Sequence, residues 1–267
     1  MKVLLWIGNE PNQKALANKI HSIIPLSGII TESRTHKKSL APKFIIEKII
    51  EKIFLSAIGK AWSSMKTHYN NKYSQYPMVP NLDVENINSE DALEFSKSIN
   101  PDLIIVSGTR LIKEKMLALK PTIGILNLHT GLSPYIKGGP NCTNWCIATK
   151  QFHLIGNTIM WIDTGIDTGN ILTTEFTDLN GNETLNELHL KVMEHAHALY
   201  IKAIRSVITG NKKSVSQSEI ATGTTYFNKD WTLKQRINLI RNYKLLKTFV
   251  TSGKMVEHRR KIKIIEL

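Results

Sequence analysis

The feature that most constrains this chain is its opening, where an apolar run gives way to a helical pattern and then to a second apolar run. Lys2 to Gly8 reads as a buried strand. Asn9-Glu10-Pro11-Asn12 turns into a helical pattern carrying Leu16, Ile20 and Ile23, Pro25 closes it, and Leu26 to Thr31 reads as a second short strand. That βαβ opening commits the chain to an open α/β sheet. Leu103 to Val106 and Thr122 to Leu128 are further continuous apolar runs, as parallel strands tend to be. Residues 154–162 and 171–177 read as two more strands, and Glu183 to Val207 as a long helix. The expected fold is a mostly parallel, twisted sheet with helices on both faces, Rossmann-like in layout. The opening lacks Gly-x-Gly-x-x-Gly, so no dinucleotide site is indicated.

Two segments depart from this rhythm. Residues 35–80 carry many lysines, an apolar stripe from Phe44 to Phe54, and Trp62, Tyr69, Tyr73 and Tyr76; they read as a helix followed by a looser basic segment. From Lys213 the composition becomes polar. Thr232 to Tyr243 then suggests a short helix with Thr232 and Gln235 as its capping box, and Lys261 to Leu267 a final strand. The expected organisation is a catalytic domain over 1–212 with a basic insertion around 35–80, and a small annex over 213–267. Exposed apolar residues in that annex offer a surface for a homodimer.

Among 267 residues, 35 Lys and Arg stand against 22 Asp and Glu, a net charge of +13 that favours an anionic partner without naming one. Two cysteines, Cys142 and Cys146, exclude a disulfide framework; their i, i+4 spacing suits one helical face and makes a weak metal site. No 18-residue apolar run predicts a membrane span, and the start carries no signal pattern, so the expected location is the cytoplasm.

The densest run of reactive residue types is Asn127 to Pro140. Asn127 and His129 lie two apart as a strand ends, hence on one face. An amide donor beside an imidazole suits a developing oxyanion, and the imidazole can also move a proton. Asp167, in the loop Asp163-Thr164-Gly165-Ile166-Asp167-Thr168-Gly169, is the natural carboxylate partner and Asp163 its rival. No Gly-x-Ser-x-Gly elbow supports serine hydrolysis. His189, His195 and His197 fall on the long helix without stacking on one face, and read as solvated or singly bonded residues.

Asn127-Leu128-His129 followed by Pro134 and Gly138, with a glycine-led strand from Gly156 running into Gly165-Ile166-Asp167-Thr168-Gly169, resembles the N10-formyltetrahydrofolate-dependent formyltransferases over roughly residues 1–210. The resemblance implies a catalytic trio of Asn127, His129 and Asp167. An acceptor amine would attack the formyl carbon, Asn127 would donate to the oxyanion, and His129, oriented by Asp167, would stabilise it and shuttle a proton. It implies N10-formyltetrahydrofolate as cosubstrate and no metal. The pterin would lie against Gly108, Thr109, Arg110, Leu111 and Ile112 on one side, and Trp161, Ile162, Asp163, Thr164 and Gly165 on the other.

Tyr135-Ile136-Lys137 displaces an aromatic and puts Lys where the family often has Arg. Glu10 stands where the glycinamide ribonucleotide branch brings a phosphate close, and that branch lacks the 35–80 segment. The methionyl-tRNA branch carries a longer C-terminal barrel, although the basic charge keeps tRNA open. Most similar is the branch that formylates nucleotide-linked deoxy-amino sugars, with Tyr135, Lys137, Asn141, Asn144 and Trp145 as acceptor-side residues, Tyr76 and Lys72 as weaker ones, and no nucleic acid expected. A non-catalytic nucleic-acid-binding or scaffold protein on the same fold is the alternative class.

Overall fold

The computed structural model describes residues 1–34 and 55–267. The apolar stripe Phe44–Phe54 and the lysines between 37 and 52 lie outside the described residues. Seven strands form the main sheet in the order β3-β2-β1-β4-β5-β7-β8: β1 (Val3–Gly8), β2 (Gly28–Glu32), β3 (Asn81–Val84), β4 (Leu103–Ser107), β5 (Gly124–His129), β7 (Gly156–Trp161) and β8 (Ile171–Phe176). The first five are parallel; β7 and β8 return antiparallel. The expected mostly parallel sheet is therefore present. Strands β1, β2 and β4 are buried along their whole length, which is why their sequences do not alternate.

Helices cover both faces. α1 (Pro11–His21), α2 (Ser56–Lys72) and the long α6 (Leu185–Ile208) pack on one side, and α3 (Glu90–Ile99) with the short α4 (Glu114–Leu117) covers the other. Trp62 and Tyr69 sit on α2, which buries Ala61, Met65 and Tyr69; the expected loose basic segment is helical there because that apolar stripe docks on α1 and α6. Ser89 caps α3, its hydroxyl accepting from the Ala92 N–H at 3.3 Å. Helix α6 starts at a reciprocal capping box between Thr184 and Glu187. Its Tyr200 hydroxyl reaches up to the sheet, donating to the Leu126 carbonyl at 2.6 Å and accepting from the Val106 N–H at 3.1 Å. That contact fixes the helix beneath β4 and β5, just below the strand ends that carry the site.

The C-terminal segment is built into the molecule. Val215 pairs with Ile171 of β8, and β9 (Thr224–Tyr226) pairs in parallel with β6 (Ile136–Gly138). Three helices follow: α7 (Leu233–Tyr243), α8 (Leu246–Thr251) and α9 (Lys254–Arg259). Leu239, Leu246 and Met255 of these helices share one apolar cluster with Leu132 and with Trp145 and Cys146 of α5 (Cys142–Ala148). Thr232 precedes α7 without the expected side-chain cap bond. The expected strand at 261–267 does not form. The tail meets β8 at Ile265, whose carbonyl accepts from the Thr174 N–H and the Thr173 hydroxyl, both at 2.8 Å, and whose N–H donates to the Thr174 hydroxyl at 2.9 Å, too few backbone bonds for a ladder.

Candidate active site

The carboxyl ends of β1, β2, β4 and β5 open into one cleft of about 840 Å³, the edge at which open α/β sheets bind ligands. Its floor includes Asn127 and His129, side by side on β5, and Asp167 closes it from the β7–β8 loop. His129 is buried. Its Nδ1 lies 3.3 Å from Asp167 Oδ2, and its Nε2 lies 3.5 Å from the Cys142 thiol. Asp167 Oδ2 also accepts from the Gly138 N–H at 3.1 Å. The rival, Asp163, turns inward on its own loop, accepting from the Gly165 N–H at 3.0 Å and from the Thr168 hydroxyl.

Burial disfavours the imidazolium of His129, but the Asp167 carboxylate outweighs it, helped by Cys142 and the Ile136 carbonyl, and raises the pKa to about 9. Burial also pushes the Cys142 thiol up, so it stays neutral at pH 7 and the carboxylate is the charge that matters. The site thus presents a cationic imidazolium at neutral pH. Beside it the Asn127 side chain, half-buried, makes no hydrogen bond to another described residue and is free to donate into the cleft.

The two loops expected to face a pterin do line the same cleft: Gly108, Thr109, Arg110, Leu111 and Ile112 from the end of β4, and Trp161, Ile162, Asp163 and Gly165 after β7. Thr164 is exposed and outside the lining. Gly108 has φ +69°, and a Cβ there would stand 2.7 Å from the Gln13 amide, so the turn needs glycine. Leu111 and Ile166 are half exposed at the mouth, apolar surface suited to a flat heterocycle. Asn12 and Gln13 of α1 bring to the lining buried carbonyl oxygens that have no partner among the described residues. A slot with apolar walls and unsatisfied polar edges fits a reduced folate. No cluster of three or more His, Cys, Asp or Glu able to hold a metal occurs among the described residues, and none of their helices is long and apolar enough to cross a membrane.

The acceptor-side residues are scattered. Asn141 lines the cleft and caps α5. Trp145 lies in the core, stacked on Tyr226 at 4.1 Å and donating to the Gly139 carbonyl. Asn144 is buried in the same helix, the Tyr135 hydroxyl accepts from the Lys263 N–H of the tail, and Lys137 is central in β6; none of these lines the cleft. Tyr76 bonds Asn9, and Lys72 is exposed.

Several cleft residues escaped the sequence. Glu32 is buried at the end of β2, accepting from the Arg110 and Ile87 N–H groups at 2.9 Å each and pairing with Arg34 at 3.0 Å. Together with Asn88, which bonds Leu111 and Lys113, it fixes the shape of the 108–112 loop. A lone acid ending an apolar parallel strand was its signal. Tyr226, Phe227 and Asn228 reach the cleft from the C-terminal segment, and that segment has no periodicity to announce them.

A match to the formyl transferase family covers residues 60–204. Methionyl-tRNA formyltransferases of Clostridium tetani (34% identical over 129 residues) and Clostridium botulinum (35% over 140) align with 48% and 52% of this chain. The alignments span 41% and 43% of those relatives, less than half their length. In fold the chain is similar to a sugar N-formyltransferase from Shewanella (TM-score 0.59, 13% identity, 91% of this chain and 88% of that one) and to phosphoribosylglycinamide formyltransferase from Bacillus halodurans (0.53, 18%, 79% and 97%). The family match spans more than half of the residues, contains Asn127, His129 and Asp167, and makes this chain a member of the formyl transferase family.

Proposed function

We propose that this protein transfers a formyl group from N10-formyltetrahydrofolate to a primary amine on a nucleotide-bearing acceptor. The observation that carries this reading is the convergence of Asn127, His129 and Asp167 on one cleft whose remaining walls suit a reduced folate. When bound, the folate supplies an activated formyl carbonyl. The Asn127 amide donates to its oxygen as negative charge builds there, and the imidazolium of His129 lies close enough to oppose the same charge. Asp167 keeps that ring protonated and oriented. As the bond from the formyl carbon to N10 breaks and tetrahydrofolate leaves, the His129 imidazolium can give N10 a proton and then take up the one lost by the attacking nitrogen, which returns the site to its starting state.

A nucleotide-linked deoxy-amino sugar is the first acceptor to test, because the likeness in fold to the Shewanella sugar N-formyltransferase covers 91% of this chain and 88% of that one. An aminoacyl-tRNA is the second, favoured by the 33–35% identity to methionyl-tRNA formyltransferases and by the net charge of +13. The test is a mass-resolved transfer assay with N10-formyltetrahydrofolate, a panel of nucleotide-linked 3-amino and 4-amino sugars, and methionyl-tRNA. Gain of one formyl group, abolished in Asn127→Ala, names the acceptor. No product with any acceptor and no folate binding would refute the reaction and leave a non-catalytic protein on this fold.

A further inference from the structure

Asp167 has a backbone conformation that needs external support. Its φ is +50°, in the left-handed region that residues with a Cβ mostly avoid. Its loop is otherwise open, with Asp163, Thr164, Ile166 and Thr168 exposed, and it closes at its base through the Trp161 N–H to Asn170 carbonyl bond of 3.0 Å. One side chain from outside the loop grips its main chain. The Gln217 amide nitrogen donates to the Asp167 carbonyl at 2.7 Å and to the Gly169 carbonyl at 2.8 Å. Both amide protons are used, one on the carbonyl of the residue whose carboxylate reaches His129 and one on the carbonyl two residues further on. Gln217 is buried, and its Oε1 has no partner among the described residues. Replacing it by an apolar residue would therefore leave two loop carbonyls without donors.

Gln217 lies beyond the 60–204 stretch that matches the family, on a turn anchored to the sheet. Two residues before it, Val215 exchanges backbone bonds of 2.8 and 2.9 Å with Ile171 of β8. Seven residues after it, β9 pairs with β6, whose Gly138 N–H also holds Asp167 Oδ2. The C-terminal segment thus reaches Asp167 twice, at the main chain through Gln217 and at the carboxylate through β6.

We infer that Gln217 is a positioning residue: by holding the Asp167 and Gly169 carbonyls it fixes the left-handed turn that aims the Asp167 carboxylate at His129. Its role in turnover rests on the proposed formyl transfer, whereas its effect on the His129–Asp167 pair does not. The titratable groups facing His129 are Asp167 and Cys142, so a change in Asp167 registers on the imidazole directly.

The experiment compares wild type with Gln217→Met, which keeps the length and loses both donors, and with Asp167→Asn as the reference for a lost carboxylate. Histidine-selective NMR follows the titration of His129, its signal identified by absence in His129→Gln. In Gln217→Met the midpoint is expected to fall by about one pH unit or more towards that of Asp167→Asn. In the transfer assay kcat is expected to fall about tenfold, with the KM for folate nearly unchanged, as for a misplaced catalytic group. Should Gln217→Met not fold, Gln217→Asn, which keeps an amide but shortens its reach, carries the same test. A His129 midpoint unchanged from wild type in a folded variant overturns the inference whatever the activity. A wild type that transfers no formyl group would refute the proposed function alone, and the titration would still decide the role of Gln217.

Discussion

At the scale of single residues, His129 links the site to stability. Its folded pKa is about 9, against about 6.5 for a free imidazole, so the folded state holds the proton more tightly. The stabilisation is fully present below pH 6.5 and is lost as pH rises through about 9, with an upper size of about 3 kcal/mol. Urea unfolding of wild type and His129→Gln should show the two diverging most near pH 6 and converging by pH 10; a constant difference would refute the pairing. Gly131 makes a second case. A Cβ there would stand 2.5 Å from His129 Nε2 and 2.8 Å from Cys142 Cβ, so Gly131→Ala must push the imidazole off its line to Asp167. Transfer activity should drop about 100-fold, while stability falls by about 1–3 kcal/mol as for other overpacked cores.

At the scale of elements, α6 was legible from residues 183–207 by its apolar periodicity, and Asn127 and His129 by their place at the end of an apolar run. The burial of the α6 histidines was not. Expected in solvent or singly bonded, His189 and His197 are both buried, because α1 and α2 cover a face of α6 that looks outward in a one-dimensional reading; His197 does keep a single bond, to Lys19. His189 and Trp62 of α2 lie perpendicular with ring centroids 6.5 Å apart, and Lys19 of α1 approaches His197 Nδ1 at 3.3 Å. Burial lowers both pKa values, to about 4 for His189 and about 3 for His197, where the Lys19 charge adds to it. Both rings are therefore neutral in the fold. The stability this confers is present above pH 6.5 and is lost as pH falls towards 4. His189→Phe removes one of these acid-labile groups and keeps an aromatic ring against Trp62. Its acid unfolding midpoint, followed by circular dichroism, should move to lower pH than that of wild type; an equal or higher midpoint would show that α6 does not set acid stability.

At the scale of the whole molecule, the shift to polar, basic sequence after residue 212, with ten Lys and Arg against two Asp and Glu between 231 and 267, suggested a small annex and said nothing of how it joins the rest. The contacts that bind this segment to the rest are long-range and leave no local signature. The bonds from Gln217 to Asp167, from β9 to β6 and from Ile265 to Thr174 span 50 to 91 residues each. Buried Leu239, Leu246 and Met255 complete the cluster that contains Leu132 and Trp145, and Tyr226 covers the face of Trp145. A chain ending at residue 212 would expose that cluster, leave the Asp167 and Gly169 carbonyls without Gln217, and strip β6 of its only strand partner among the described residues. Fully burying a large apolar side chain contributes roughly 1.5–3 kcal/mol, so uncovering even four or five of them equals a typical domain's whole stability of about 5–15 kcal/mol. The 1–212 fragment should therefore bind a hydrophobic dye, lose its near-ultraviolet circular dichroism and melt without a cooperative transition. A fragment that unfolds cooperatively, with His129 titrating as in the full chain, would show instead that the first 212 residues hold the Asp167 turn unaided.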